Sequence, residues 1–387
     1  MDGCMYKVTA ATGAWTRIYG PIGAGIEATP TLGAAKAVGA ASALAADMAT
    51  IGLTSVRVVD ASLFDPGDEL KIGPNPAAAL SVGYITRVDT AANTLYFSLP
   101  TTATFVAGAN SAYATPHQPL YFAATNGRLY AINADEATSH LRWVYPDPPG
   151  KLRAPQAAPL LDGDVLYVGD RGGSFYCVNG YSGKLVGMLA AAALGIGGDL
   201  VTAAGKAGNH QVFVGGSAGL AAIDVTNPAA MVIQRRYTVF STGVVAQPVV
   251  DAAGKVLVGT AGGAVYALNQ DADTEMWHWT PARALTLTGS PLLQVKGADR
   301  RVFAVTREGL ALSLLTDAAA ALPASPKLPK GHWPQFQGDA THPGALNAAS
   351  PGFTAPTDGM AGGEYTGRKL RWVAPTGCTT KIGRAHV

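Results

Sequence analysis

Leu120-Tyr-Phe-Ala-Ala-Thr-Asn-Gly-Arg-Leu-Tyr-Ala-Ile-Asn133, followed by Leu141-Arg-Trp-Val144, sets out an apolar run, a tight glycine turn, a second apolar run, a polar loop and a third run. The residues beyond repeat that plan: Ala158-Pro-Leu-Leu161, Val165-Leu-Tyr-Val-Gly169, Gly173-Ser-Phe-Tyr-Cys-Val-Asn179 and Ser182-Gly-Lys-Leu185. Short apolar runs bounded by Gly, Asp and Asn predict antiparallel strands, four to a unit. One such sheet cannot hide both of its faces, so the pattern requires further copies.

The copies are evenly spaced. The glycine that opens the third strand recurs as Gly127, Gly173, Gly219, Gly263 and Gly309, at steps of 46, 46, 44 and 46 residues. It precedes Leu129-Tyr-Ala-Ile, Phe175-Tyr-Cys-Val, Leu220-Ala-Ala-Ile, Val265-Tyr-Ala-Leu and Leu310-Ala-Leu-Ser. A period in the forties with four strands per period predicts an all-β chain, a β-propeller in which radial repetition leaves only short, protected sheet edges.

One unit, Gln247-Pro-Val-Val250, Gly254-Lys-Val-Leu-Val-Gly259, Gly263-Ala-Val-Tyr-Ala-Leu-Asn269 and Glu275-Met-Trp277, closely follows "SPxVxxGxVYVGxxxGxLYALDAxTGxxxW". That line resembles the repeats of the pyrroloquinoline-quinone-type (PQQ-like) propellers. The resemblance covers roughly residues 1–36 and 117–316. It implies an incomplete propeller of five recognisable blades plus a partial one, and export from the cytoplasm. The same repeats serve both enzymes and scaffolds, so the fold alone does not assign a role.

Of the 387 residues 48% are apolar and 14% charged, which suits a sheet-rich globule and argues against disorder. A formal net charge of +2 offers no footprint for nucleic acid. No apolar run reaches the roughly 18 to 20 residues of a membrane-spanning helix, and the first residues show no export-signal pattern. Cys4, Cys177 and Cys378 lie far apart with no metal-binding spacing.

Residues 3–18 match the second half of a repeat, from Gly3 through a Thr12-Gly13 turn to Trp15. Either the far end of the chain supplies the two missing strands or the gene continues upstream. The other terminus favours the second, because Lys381-Ile-Gly-Arg-Ala-His-Val387 resembles a translated sequencing adapter and is set aside. The second unit opens at Ala28-Thr-Pro-Thr-Leu32 and resumes only at Pro119-Leu-Tyr-Phe122. Residues 37–116 are therefore expected to be a β-rich module inserted into the first hairpin, a place that tolerates insertions because the flanking strands can still pair.

Its alanine-rich lead-in, residues 34–49, reads as a short helix or a flexible segment. Strands are expected at Ser55-Val-Arg-Val-Val59, Glu69-Leu-Lys-Ile72, Gly83-Tyr-Ile-Thr-Arg-Val88, Thr94-Leu-Tyr-Phe-Ser98 and Ala112-Tyr-Ala114. The pattern resembles small β modules of bacterial and phage surface proteins, with units reading "VxVxDxSxFxxGDxxxIG". The last propeller unit fades into Ala318-Ala-Ala-Ala-Leu322 ahead of a Pro-rich linker at residues 323–330. Beyond it, residues 331–344 resemble the "WPxFxxDxxHTG" flank of PQQ-like propellers, and Lys369-Leu-Arg-Trp372 resembles a closing strand.

Candidate chemistry is sparse. Quinoprotein dehydrogenases, the enzymes this resemblance brings into view, hold PQQ and calcium with an adjacent Cys-Cys pair, and no adjacent cysteines occur here. Trp15, Trp143 and Trp277 end fourth strands, where the resemblance implies docking rather than a binding site. His332 and His342 lack the company that a zinc site needs. Asp162-Gly-Asp164 and Asp65-Pro-Gly-Asp68 hint at calcium but read better as turns. The glycines of residues 215–219 and 262–263 lie between strands, unlike a phosphate loop.

No catalytic, cofactor-binding or metal-binding residue is assigned. The repeat positions Gly3, Gly127, Gly173, Gly219, Gly263, Gly309, Trp15, Trp143 and Trp277 are structural expectations. The expected role is a non-catalytic scaffold presenting loops and the inserted module to a protein or surface glycan, without nucleic acid. The alternatives are a PQQ-dependent dehydrogenase with calcium and an extracytoplasmic sensor domain.

Overall fold

The computed structural model describes residues 3–8, 14–136, 139–146, 150–153, 155, 157–204, 210–251, 254–269, 274–281, 285–287, 289–296, 299–307, 310–316, 364–365 and 368–375. The chain divides into two compact units, one of Met1–Ile26, Leu32–Lys151 and Asn179–Lys184, the other of Glu27–Thr31, Leu152–Val178 and Leu185–Val387.

In the first unit β1 (Met5–Val8) pairs antiparallel with β2 (Trp15–Tyr19). Next comes the short β3 (Thr31–Leu32), then a run of six strands: β4 (Ala41–Ala43), β5 (Ser55–Arg57), β6 (Glu69–Gly73), β7 (Leu80–Asp89), β8 (Thr94–Phe97) and β9 (Ser111–Thr115). After them β10 (Pro119–Ala124), β11 (Arg128–Asn133) and β12 (Leu141–Tyr145) complete a four-stranded sheet in the order β12-β11-β10-β3. The hairpin is interrupted between β3 and β10, yet Gly33 N still donates to Pro119 O at 2.8 Å.

The six strands between them are ordered β4-β9-β6-β7-β8-β5, and the two outer strands meet. Ala45 N donates to Arg57 O and Val59 N to Ala43 O, both at 2.9 Å, with a bridge between Leu44 and Val58. The sheet therefore closes into a small barrel, which removes the free edges that would otherwise invite pairing with other chains. Its interior is filled by Val58, Leu70, Ile72, Ile85, Leu95 and Phe97. Leu70 and Ile72 point inward on either side of the partly exposed Lys71, the period-two alternation of a strand covered on one face.

Part of the alanine-rich segment is a strand rather than a helix. Residues 41–43 form β4, paired with β9 through Ala41–Tyr113 and Ala43–Ser111. Ala41 and Ala43 are exposed and Ser42 is buried, and the ladder bonds to β9 override alanine's helix preference.

The second unit contains three meanders of the same plan. The first comprises β13 (Leu160–Asp162), β14 (Val165–Gly169), β15 (Phe175–Asn179) and β16 (Leu185–Leu189). After the short helix α1 (Ala191–Leu194) come β17 (Val201–Ala204), β18 (Gln211–Gly216), β19 (Gly219–Asp224) and β20 (Val232–Tyr237). The third is β21 (Val249–Val250), β22 (Val256–Gly259), β23 (Val265–Leu268) and β24 (Glu275–Trp279). Second and third strands are buried almost throughout, whereas β16, β20 and β24 carry the exposed residues. Strands covered on both faces read as unbroken apolar runs, which is why the middle strands dominate the sequence pattern.

The last sheet departs from the expectation. β25 (Leu292–Lys296), β26 (Asp299–Val305) and β27 (Leu310–Thr316) follow in order, but the fourth place is taken by β29 (Arg368–Pro375), with β28 (Glu364–Tyr365) outside it. Ser313 pairs with Trp372 and Leu310 with Pro375. Residues 318–322, where the sequence suggested a fading fourth strand, lie outside the described residues. In the five sheets from β10–β12 onward the third-to-fourth-strand pairing slips at a corresponding place, between Ala131/Ile132, Cys177/Val178, Ala222/Ile223, Ala267/Leu268 and Ser313/Leu314. The bulge thus repeats with the sheets and sharpens the local twist of each outer strand.

Candidate functional site at the root of the barrel

The chain leaves the barrel through Pro116-His117-Gln118 and enters β10 directly, so polar groups of the barrel and of the β10–β12 sheet meet there. Arg142 of β12 is 2% exposed, an arginine in a strand that otherwise reads apolar. Its Nη2 donates to Asp68 Oδ1 at 2.7 Å, and its Nη1 donates to Asn133 Oδ1 at 2.9 Å and to His117 O at 3.3 Å. Asn133 is fully buried and its Nδ2 donates to Gly67 O at 2.8 Å and to Glu136 Oε2 at 3.2 Å. The Asp65-Pro-Gly-Asp68 turn is thereby bound to the sheet by charge-assisted hydrogen bonds, which are stronger than neutral ones.

Both carboxylates of that turn have cations. Asp68 meets Arg142, and Asp65 meets Lys36, whose Nζ also lies 4.6 Å from the centre of the Tyr181 ring. Burial pushes the Asp68 carboxyl above its ordinary range even though Arg142 pulls it down. Gly67 has φ +87°, and a Cβ there would run into Arg142 Cγ, so the close approach and the backbone both demand glycine.

Beside this pair lies a histidine–carboxylate array. His117 Nδ1 is 3.2 Å from both carboxylate oxygens of Asp135, and its Nε2 is 3.6 Å from Glu136 Oε1. His140 Nδ1 lies 2.8 Å from Glu136 Oε2, and its ring stacks on Tyr84 of β7 at 3.6 Å and 20°. The hydrogen bond to Glu136, with burial and neighbouring carboxylates, pushes the Tyr84 phenol up to about 12. At Glu136 burial works upward, but hydrogen bonds from Tyr84, His140 and Asn133 and the charge of His117 outweigh it and hold the carboxyl below its usual range. A depressed carboxyl stabilises the fold above its unfolded value, about 4.3, and that contribution is lost as pH falls through the lower folded value. Glu136→Gln is therefore expected to flatten the acid limb of a stability profile taken by urea unfolding between about pH 5 and pH 3. An unaltered acid limb would refute that role.

The repeat positions are distributed differently. Gly127, Gly173 and Gly263 all have φ near +80°, at +78°, +87° and +81°, in the turn before each third strand, and Gly3 has +68°. Gly219 lacks a positive φ; its constraint is Tyr237 O, which would stand 2.8 Å from a Cβ. Gly309 lies outside the described residues. Trp143 is buried, and its Nε1 donates to Gly180 O at 2.8 Å while its ring covers Gly183. Trp277 is half-buried in β24 against the cluster around Val265 and Trp279. Trp15 is 68% exposed, and its ring meets Tyr6 edge-on at 5.4 Å.

Asp162 and Asp164 flank Gly163 in the β13–β14 turn, and residues 215–219 make a tight turn in which Gly216 pairs with Gly219. His332 and His342 lie outside the described residues. Among the described residues no group of three or more His, Cys, Asp or Glu is arranged to hold a metal ion, and no helix is long and apolar enough to cross a membrane. Sequence reasoning missed the Arg142 network. Its signal was an arginine at a position where the next three sheets carry Val186, Gln234 and Met276.

Residues 82–247 match the family described as outer membrane protein assembly factor BamB. No curated protein matches the sequence. Among solved structures, BamB from Moraxella catarrhalis is similar at 16% identity over 53% of this chain and 69% of that one, with a TM-score of 0.33. Sqt1 from Chaetomium thermophilum aligns at 12% identity over 64% of this chain and 67% of that one, TM-score 0.43. A chain of a mitotic checkpoint complex aligns at 11% over 54% and 63%, TM-score 0.39. The chain is all-β, and its match to the PQQ-like repeat family extends over residues 82–247.

Proposed function

We propose that this chain is a non-catalytic scaffold whose inserted barrel is the element offered to a protein partner outside the cytoplasm. The observation that carries the reading is the root of the barrel: a buried arginine, an aspartate and an asparagine tie the Asp65–Asp68 turn to the β10–β12 sheet. A module meant only to fill a loop needs no such anchor, whereas one that presents a surface gains affinity from being held in one orientation. The matched family is named for assembly of outer membrane proteins, and that name directs the choice of partner to test.

The chain, and a version in which residues 37–116 are replaced by a short Gly-Ser loop, would each be cross-linked to detergent-solubilised outer-membrane proteins. Capture by the intact chain alone supports the reading, and equal capture by both assigns binding to the repeats instead. A surface glycan partner would show as binding to purified polysaccharide. Reduction of a redox dye after addition of PQQ and calcium would overturn the scaffold reading in favour of a dehydrogenase.

A further inference from the structure

His117 occupies the segment that joins the barrel to the sheet, and its ring nitrogens face two different carboxylates, Asp135 and Glu136. A neutral imidazole donates from one nitrogen only, so both contacts are attractive only when the ring is an imidazolium. His140 approaches the second oxygen of Glu136 and stacks on Tyr84, which belongs to the barrel. The same Glu136 accepts from Asn133, which in turn holds Gly67 of the barrel.

The surroundings are rich in negative charge. Asp68 accepts from His117 N at 3.3 Å, Asp65 acts on Asp68, and Glu69 acts on Tyr84. The fixed cations are Arg142, committed to Asp68, and Lys36, committed to Asp65. Among the described residues neither makes an ion pair with Asp135 or Glu136, so the ring nitrogens of the two histidines are what those carboxylates face.

We propose that the root of the barrel is a proton-operated latch, closed when His117 and His140 are protonated and loosened when they are neutral. In the closed state the two imidazolium rings hold Asp135 and Glu136, on the loop after β11, against the segment and the tyrosine of the barrel. Loss of the protons leaves two adjacent carboxylates facing neutral rings, and the barrel's seat opens by local unfolding. Histidine is the side chain that changes charge near neutral pH, which sets the range over which the latch is tested. The latch stands whatever partner the barrel takes.

Hydrogen exchange of the full chain, read by mass spectrometry at about pH 5.5 and about pH 8 and corrected for intrinsic rates, tests it within the range where imidazole titrates. Protection of residues 64–69 and 115–118 is expected to fall roughly tenfold at the higher pH, while the β18–β19 region stays constant. In His117→Gln/His140→Gln the difference between the two pH values is expected to vanish. Equal protection at both pH values in the native chain, or an undiminished difference in the double variant, would overturn the latch. If the double variant loses native circular dichroism, the half-exposed His140→Gln alone takes its place: a reduced pH effect supports the latch and an unchanged one counts against it.

Discussion

Arg142→Ala is expected to cost about 3–5 kcal/mol of stability, enough to release the barrel from the β10–β12 sheet. The guanidinium is buried, and its removal strands Asp68 without its cation in a site where burial already pushes the carboxyl upward. It also takes a donor from Asn133 Oδ1 and another from His117 O. The magnitude comes from the uncompensated charge rather than from the worth of the ion pair. A double replacement, Arg142→Met with Asp68→Asn, is therefore expected to recover most of the loss, because apolar and neutral groups of similar size replace buried pairs at little cost. Urea unfolding of the single and double variants measures both. A single-variant loss below about 1 kcal/mol, the scale of an exposed pair, would show that the pair is not desolvated in solution.

The repeats were legible because their physics is local. Three of the third strands are preceded by a residue at positive φ, and glycine at Gly127, Gly173 and Gly263 supplies it. Buried middle strands show as runs such as Val165-Leu-Tyr-Val and Val256-Leu-Val. The interruption between β3 and β10 was legible for the same reason, since a strand that stops at Leu32 and resumes at Pro119 leaves a measurable surplus. Closure of the barrel was not legible. It depends on Leu44 meeting Val58, a pairing set by strand tilt and register rather than by composition.

The root of the barrel was hidden for a further reason. Asp68, His117, Asn133, Glu136 and Arg142 are scattered over 75 residues and each looks ordinary in its own segment. The Asp65–Asp68 turn read as turn chemistry, which it is, but only the fold places an arginine 74 positions later against its second carboxylate. The placement of β29 in the last sheet is of the same kind. Its Lys369-Leu-Arg-Trp372 resembles a closing strand, yet nothing in the intervening residues announces which sheet it joins.

Gly173→Ala is expected to destabilise the second unit by about 3 kcal/mol, against about 1 kcal/mol for Gly163→Ala in the neighbouring turn of the same sheet. Both glycines have positive φ, +87° and +57°, so both variants carry the cost of a side chain in a left-handed conformation. They differ in their surroundings. A Cβ at Gly163 meets nothing within 4 Å, while at Gly173 it would stand 2.5 Å from Gly197 O, a backbone atom that no rotamer change can move aside. Gly197 is itself at φ +79°, and Ile196 O, one residue earlier, accepts from Ala218 N at 2.7 Å. Displacing it would disturb the β18–β19 turn as well. The difference between the two variants thus isolates the cost of close packing at a repeat glycine from the cost of its backbone conformation. Equal losses would mean that the evenly spaced glycines are kept for turn geometry alone, and the sheets do not rely on that contact.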